Sequence, residues 1–169
     1  MLLFMALASA EPGDGLLEVQ LAELARAGEY IGRFEAPPAA AAEEFTWPVS
    51  GRISSHFGFR NISVGGNRNH GGIDIAANTG TPVAASRSGT VTFSGWNGAY
   101  GYVIYVDHGD GSETRYAHLS ALHAGAGQVV AQGDTIGLTG STGASTGPHL
   151  HFEIRQQGVA LDPLVLIGN

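Results

Sequence analysis

Two histidines separated by one residue, His149 and His151, are the side chains of this sequence best placed to act together. Residues i and i+2 of a β-strand point to the same face, so the two imidazoles project side by side while Leu150 points the other way. The pattern indicates half of a metal site on a rigid strand. An isolated His-x-His is more often a pair of half-buried strand residues, so ligands elsewhere in the chain must decide between the two interpretations.

A second cluster, His70 and Asp74, is a source of such ligands. Their i, i+4 spacing suits one face of a helix, but Gly71 and Gly72 lie between them and disfavour a helix. On an extended chain His70 and Asp74 also share a face, and the glycines allow another backbone to approach closely.

A fifth candidate, His118, lies near the end of the strand-like segment 114–120. Thr114, Tyr116 and His118 alternate there with smaller or apolar neighbours. The alternation predicts that these three side chains point in one direction.

Zinc binds histidine nitrogen and aspartate oxygen, and a catalytic zinc keeps three protein ligands plus a water. His70, Asp74 and one member of the His149/His151 pair make such a set, although ligands without a thiolate also suit other divalent metals. The remaining member of the pair and His118 then lie near the metal without binding it. Imidazole near neutral pH can serve as a general base or stabilise an oxyanion, so the set is typical of a hydrolase.

The other histidines and three of the arginines have simpler interpretations. We interpret three histidines as structural or incidental: His56, His108 and His123. Three arginines are able to contact a substrate carboxylate, but solvated surface is the simpler interpretation for each: Arg60, Arg115 and Arg155.

The pattern of strand-like runs and turns from residue 45 onward predicts the scaffold that must position these residues. With 169 residues the chain holds one domain with a core, and its 26 glycines favour a turn-rich β architecture. Strand-like runs occupy 90–93, 102–106 and 135–138, and Gly-Asp-Gly at 109–111 predicts a hairpin. The domain is therefore predicted to be mainly antiparallel β.

The N-terminal part has a different character. Residues 1–10 are apolar and end in an Ala-Ser-Ala site typical of a secretory signal, but they lack a basic start; an atypical signal and a misassigned translation start are equal alternatives. Residues 15–27 have the leucine spacing of a short amphipathic helix, with a loosely held spacer as an equal alternative. Residues 35–44 form a Pro/Ala linker. We place the boundary between an N-terminal extension, 1–44, and a catalytic domain, 45–169.

Charge and cysteine content exclude several function classes. The net charge is −7, of which −6 lies in the first 44 residues, where eight carboxylates face two arginines. This distribution contains no basic footprint for nucleic acid. The chain has no cysteine, which excludes disulfides and thiolate chemistry. Its apolar N-terminal stretch is too short to span a membrane as a helix, so we expect no membrane-spanning segment.

Three separated segments carry a family resemblance when taken in order. They read NHGGIDIAANTGTPV, TRYAHLS and STGPHLHFEI. Together they resemble the lysostaphin/LytM-type peptidoglycan metalloendopeptidases, over residues 45–163. Three motifs in the same order make the resemblance specific, whereas one alone would not.

The resemblance implies an antiparallel β-sandwich-like catalytic domain of the duplicated hybrid motif type. It also implies one zinc ion bound by His70, Asp74 and His151, with His118 and His149 as the catalytic pair beside the water. Spacing alone leaves His149 and His151 equal as ligands, and the choice of His151 comes from the resemblance. Which of His118 and His149 is the general base stays open.

The implied function is zinc-dependent hydrolysis of peptide bonds in bacterial peptidoglycan cross-links or stem peptides. The expected partner is the peptidoglycan peptide, the expected location is the periplasm or the extracellular cell wall, and the expected oligomeric state is a monomer. Two alternatives come from other classes: a non-catalytic cell-wall or division regulator that uses the fold as a docking surface, and a phosphocarrier that relays phosphate through paired histidines.

Overall fold

The computed structural model describes residues 43–64 and 67–168. Two short helical segments are present there, a 3₁₀ turn at Gly98–Tyr100 and a helix α1 at Pro163–Leu166. The strands in chain order are β1 (Arg52–Ser55), β2 (Gly58–Val64), β3 (Asn67–His70), β4 (Ile73–Ala76), β5 (Pro82–Ala84), β6 (Gly89–Trp96), β7 (Tyr102–Asp107), β8 (Ser112–Leu119), β9 (Ala121–Leu122), β10 (Val129–Val130), β11 (Thr135–Leu138), β12 (His149–Gln156) and β13 (Val159–Leu161).

Every strand pair is antiparallel, and the strands form a large sheet, a small sheet and a ribbon. The large sheet has eight strands in the order β1-β4-β12-β8-β7-β6-β10, with β13 paired to β12. The small sheet has the order β5-β11-β9, and β2 pairs with β3 in the ribbon. Strand β12, which carries the His-x-His pair, therefore lies between β4 and β8 inside the large sheet.

The core lies between the large sheet and the small sheet. Leu150, Phe152 and Ile154 of β12 are buried on one face and join Val83 of β5 and Ile136 of β11 in one apolar cluster. Burying each such side chain is worth about 1.5–3 kcal/mol, so the alternation of β12 is strongly fixed. The opposite face of β12 is therefore free to carry polar side chains.

These observations confirm the predicted antiparallel, β-sandwich-like architecture. The strand-like runs at 90–93, 102–106 and 135–138 fall within β6, β7 and β11, and the turn at 109–111 joins β7 to β8. Neither of the two short helical segments found in the described ranges has the length or apolarity to cross a bilayer. The predicted signal, helix and most of the linker lie outside the described residues.

The segment that carries His70 and Asp74 differs from the predicted extended chain. A bend at Gly71 and Gly72 ends β3 at His70 and starts β4 at Ile73, so His70 belongs to the ribbon and Asp74 to the large sheet. A side chain on Gly72 would collide with the carbonyl of Phe152. The glycines therefore let the corner pack tightly against β12, as their predicted use in close backbone approach requires.

The predicted direction of His118 is wrong because β8 contains a bulge. The β7–β8 register shifts between Tyr102, opposite Leu119, and Ile104, opposite Tyr116, which places one extra residue on β8. His118 has φ 62°, in the left-handed region that non-glycine residues rarely adopt. The bulge turns the His118 imidazole away from the buried face of Tyr116 and toward the face that carries His149 and His151.

Candidate metal centre

Three side chains from three strands converge on the polar face of the large sheet. Asp74 of β4 lies directly opposite His151 of β12 in the ladder, and the corner after β3 brings His70 beside them. His70 Nε2 lies 3.0 Å from Asp74 Oδ1 and 2.9 Å from His151 Nδ1, and His151 Nδ1 lies 2.9 Å from Asp74 Oδ1. Each residue thus offers one ligand atom to a common point.

The spacing and chemistry of these three atoms fit a zinc ion. Zinc binds histidine nitrogen and carboxylate oxygen at about 2.0–2.2 Å in tetrahedral geometry, which separates ligand atoms by roughly 3.3 Å. The observed separations of 2.9–3.0 Å lie within a few tenths of that value. A set of two nitrogens and one oxygen leaves the fourth tetrahedral position for a water or a substrate atom, as in catalytic sites.

The second ring nitrogen of each histidine in the cluster is bound to an acceptor. His70 Nδ1 donates to the carbonyl of His56 over 2.7 Å, and His151 Nε2 donates to Glu153 Oε1 over 3.0 Å. These bonds place the ring proton on the outer nitrogen and leave the inner nitrogen with a free lone pair. The surrounding chain therefore holds both imidazoles in the orientation that metal binding requires.

His149 and His118 stand beside the cluster and are anchored in the same way. His149 Nδ1 donates to the carbonyl of Gly147, and His118 Nδ1 donates to the carbonyl of Thr142, each over 2.7 Å. The two rings lie 4.7 Å apart between centroids, and the His118 ring lies 5.8 Å from that of His151. Their Nε2 atoms are thus left to accept a proton.

The electrostatics of the site keep Asp74 charged and His118 neutral. Burial raises the pKa of Asp74, but contacts with the His151 and His70 imidazoles outweigh it and hold the pKa well below its usual range. Burial lowers the pKa of His118 to about 4, and repulsion from His149 and His151 adds to this against the opposing hydrogen bond to Thr142. At neutral pH the His118 imidazole is therefore a base.

Glu153 is a further residue of the candidate site, and the sequence analysis does not include it. Its Oε1 accepts from His151 and from the Tyr100 hydroxyl over 2.6 Å, and its Oε2 accepts from Arg155 Nη1 over 2.7 Å. Burial raises the pKa of Glu153, but its hydrogen bonds from His151, Tyr100 and Arg155 lower it to about 2. The i+2 spacing from His151 was the signal that places Glu153 on the same face of β12.

The remaining histidines match their structural interpretation, since none joins the cluster. His56 and His123 are exposed. His108 bonds to the carbonyl of Ser88 through Nδ1 and to Thr114 Oγ1 through Nε2.

The interpretation of three arginines as solvated surface is wrong. Arg115 and Arg155 are held by neighbouring carboxylates, with side chains 21% and 22% exposed. The Arg60 side chain is 16% exposed and lies in the same cleft as the cluster. All three guanidinium groups therefore belong to the polar face rather than to open solvent.

Comparison with known sequences gives a family match across the site. Residues 68–163 match peptidase family M23. The DD-carboxypeptidase/endopeptidase Mpg of Neisseria meningitidis is 50% identical over 114 residues, which cover 67% of this chain and 26% of that protein. The murein hydrolase activator EnvC of Escherichia coli is 35% identical over 122 residues, which cover 72% of this chain and 28% of that protein. This chain thus spans about a quarter of the length of these relatives.

Comparison with solved structures also finds proteins with a similar fold. A zinc-containing peptidase from Vibrio cholerae superimposes with a TM-score of 0.67 at 34% identity, over 72% of this chain and 39% of that one. The catalytic domain of lysostaphin from Staphylococcus simulans superimposes with a TM-score of 0.64 at 35% identity, over 68% of this chain and 90% of that one.

Proposed function

We propose that this chain, which belongs to peptidase family M23, contains a zinc-dependent endopeptidase domain that hydrolyses peptide bonds in bacterial peptidoglycan cross-links or stem peptides. Membership of the family agrees with the lysostaphin/LytM-type resemblance of the three sequence motifs. The observation that carries the proposal is the convergence of one ligand atom each from His70, Asp74 and His151, with two further imidazoles beside them. Two relatives whose names or titles state a peptidase activity support it.

His70 Nε2, Asp74 Oδ1 and His151 Nδ1 would hold the metal. When bound there, zinc supplies a Lewis acid that polarises a peptide carbonyl and brings the pKa of a water down to about 7. The nitrogen and oxygen donors suit zinc, and a structural neighbour is titled a zinc-containing peptidase.

His118 and His149 would move the protons of the reaction. The neutral imidazole of His118 accepts a proton at Nε2, since its Nδ1 proton is committed to the carbonyl of Thr142. His149 is anchored in the same way through Gly147. The ring that has gained the proton of the water then donates it to the leaving amine, and the other ring, when it carries a proton on Nε2, hydrogen-bonds the developing oxyanion.

The surrounding cleft suits an extended peptide. It has a volume of about 830 Å³ and runs along the polar face past Tyr100, Ala144 and Thr146. A peptidoglycan substrate places this domain in the periplasm or outside the cell. We assign residues 45–169 to the catalytic domain and residues 1–44 to an N-terminal extension.

A non-catalytic regulator is the second candidate, favoured by the similarity to the activator EnvC. The complete set of ligand atoms argues against it, because a docking surface does not need them. Digestion of purified sacculi followed by muropeptide analysis separates the two. The endopeptidase releases peptides only without chelator, whereas a regulator leaves the muropeptide pattern unchanged in both arms. A phosphocarrier would use paired histidines without Asp74, so stoichiometric zinc in the purified protein excludes it.

Replacing Glu153 is expected to weaken zinc binding through His151. Loss of such a carboxylate partner of a histidine ligand typically costs about 10–100-fold in metal affinity. Glu153→Gln keeps the shape and an acceptor, so its loss should lie near the lower end of that range, and Glu153→Ala near the upper end. The measurement is zinc affinity by competition with a chromophoric chelator.

Glu113→Gln is the matched control, because Glu113 pairs with Arg115 on β8 and does not contact the cluster. Its zinc affinity should equal that of the unaltered protein. Wild-type affinity in folded Glu153→Ala would show that the carboxylate does not position His151.

A further inference from the structure

Arg60 has unused hydrogen-bonding capacity beside the candidate metal centre. It lies in β2, lines the cleft and has a side chain only 16% exposed. Its Nη1 lies 3.5 Å from Ser55 Oγ and 3.6 Å from Asp74 Oδ2, both longer than ordinary charge-assisted bonds. Its buried Nε has no hydrogen-bond partner. Leaving a buried donor unpaired costs about 1–3 kcal/mol, so the cation is poorly satisfied by the chain alone.

Arg155, the other arginine lining the cleft, is committed to the chain. Its Nη1 donates to Glu153 Oε2 and its Nη2 to the carbonyl of Gly158, each over 2.7 Å. Its Nε also lacks a partner, but these two short bonds fix the guanidinium. Arg60 is thus the cleft arginine whose hydrogen bonds are weak enough to be exchanged for bonds to a ligand.

The charge balance of the centre favours an anion at Arg60. Glu153 and Arg155 neutralise each other, and Asp74 offsets one charge of a divalent metal. Even without a contribution from the histidines, the metal and Arg60 leave the site with a net positive charge. A guanidinium binds carboxylates in bidentate fashion, which matches the donors that Arg60 has to offer.

We infer that Arg60 is a specificity-determining residue that binds a free α-carboxylate on the substrate residue whose amine forms the scissile bond. The carboxylate carbon of such a residue lies about 2.5 Å from the scissile nitrogen, from standard backbone dimensions. Arg60 Nη1 is 3.6 Å from Oδ2 of Asp74, whose other oxygen faces the candidate metal position, so the guanidinium lies at the edge of the centre where the scissile bond would bind. This inference rests on the proposed peptidase function and adds the class of bond that is cut.

The test compares purified cross-linked muropeptides that have free carboxylates with the same muropeptides after chemical amidation. The ratio of kcat/KM for free over amidated substrate should be about 10–100 in the unaltered protein, the usual value of a charge-assisted hydrogen bond. The ratio should fall to near 1 in Arg60→Gln. It should be intermediate in Arg60→Lys, because lysine keeps the charge but lacks the paired N–H donors of the guanidinium. Calorimetric binding of the two substrates to metal-free protein should show the same dependence on Arg60.

Arg52→Gln, an exposed arginine on β1 outside the cleft, is the control and should keep the full ratio. A ratio near 1 in the unaltered protein, or an unchanged ratio in Arg60→Gln, would overturn the role of Arg60 while leaving the peptidase function intact. Absence of cleavage of both substrates by zinc-loaded protein would overturn the peptidase function and this inference together. The zinc content of each variant shows whether the substitution has displaced Asp74. A variant that keeps one zinc per chain has lost only the contact with the substrate carboxylate.

Discussion

His118→Ala is expected to abolish peptide hydrolysis while bound zinc stays near one ion per chain. The His118 ring lies beside those of His149 and His151 without taking a ligand position, and its low pKa keeps it a base at neutral pH. Positioned acid–base groups contribute about 10²–10⁴-fold to rate, so kcat should fall by that factor. The measurement is kcat on cross-linked muropeptides together with metal analysis of the same sample.

The exposed histidine His123 provides the matched control for this variant. His123→Ala should keep both activity and zinc. Full activity in His118→Ala would remove the proposed role of His118, and loss of zinc from a folded His118→Ala would make it a ligand rather than a proton carrier.

Asp74→Ala is expected to remove both zinc and activity. Asp74 Oδ1 lies within 3.0 Å of His70 Nε2 and His151 Nδ1, so its loss removes one of the three proposed ligands and the only negative charge among them. Two imidazole nitrogens then face each other at 2.9 Å without a compensating carboxylate. Zinc per chain should fall to background in dialysed protein, and hydrolysis should fall with it.

Asp107→Asn is the control for Asp74→Ala, because Asp107 is an exposed carboxylate at the end of β7 outside the cleft. It should retain one zinc per chain. A zinc content near one in Asp74→Ala would exclude this carboxylate from the ligand set, whereas loss of activity alone would point to a role in substrate binding.

The part of the site that depends on strand alternation could be predicted from the sequence. His149 and His151 do share one face of β12, with Leu150 on the core side. Alternation alone does not distinguish the two histidines as ligands. In the structure His151 Nδ1 lies 2.9 Å from Asp74 Oδ1, whereas His149 Nε2 lies 3.6 Å away, a difference that arises from the register of β12 against β4.

The parts that depend on broken alternation could not be predicted. The bulge in β8 reverses the direction of His118, and the bend at Gly71 and Gly72 moves His70 from the strand of Asp74 to a separate ribbon. Both irregularities are fixed by tertiary packing against neighbouring strands, which a local pattern does not contain. The bulge and the bend therefore bring His118 and His70 beside His151, which regular strands would not do.

Glu153 and Arg60 differ in whether their place in the site can be predicted from the sequence. Glu153 follows the alternation of β12, so its place beside His151 is predictable from the i+2 spacing. Arg60 lies on β2, outside the large sheet, and only its burial and long contacts in the folded chain distinguish it from solvated surface.

Zinc titration of metal-free protein is the most direct test of the proposed hydrolytic centre. Hydrolysis of cross-linked muropeptides is followed as zinc is added, with the bound metal quantified in parallel. We predict no activity in metal-free protein and a linear rise that ends at one zinc per chain. Full hydrolysis by metal-free protein, or intact muropeptides after one zinc has bound, would contradict a metal-dependent peptidase at His70, Asp74 and His151.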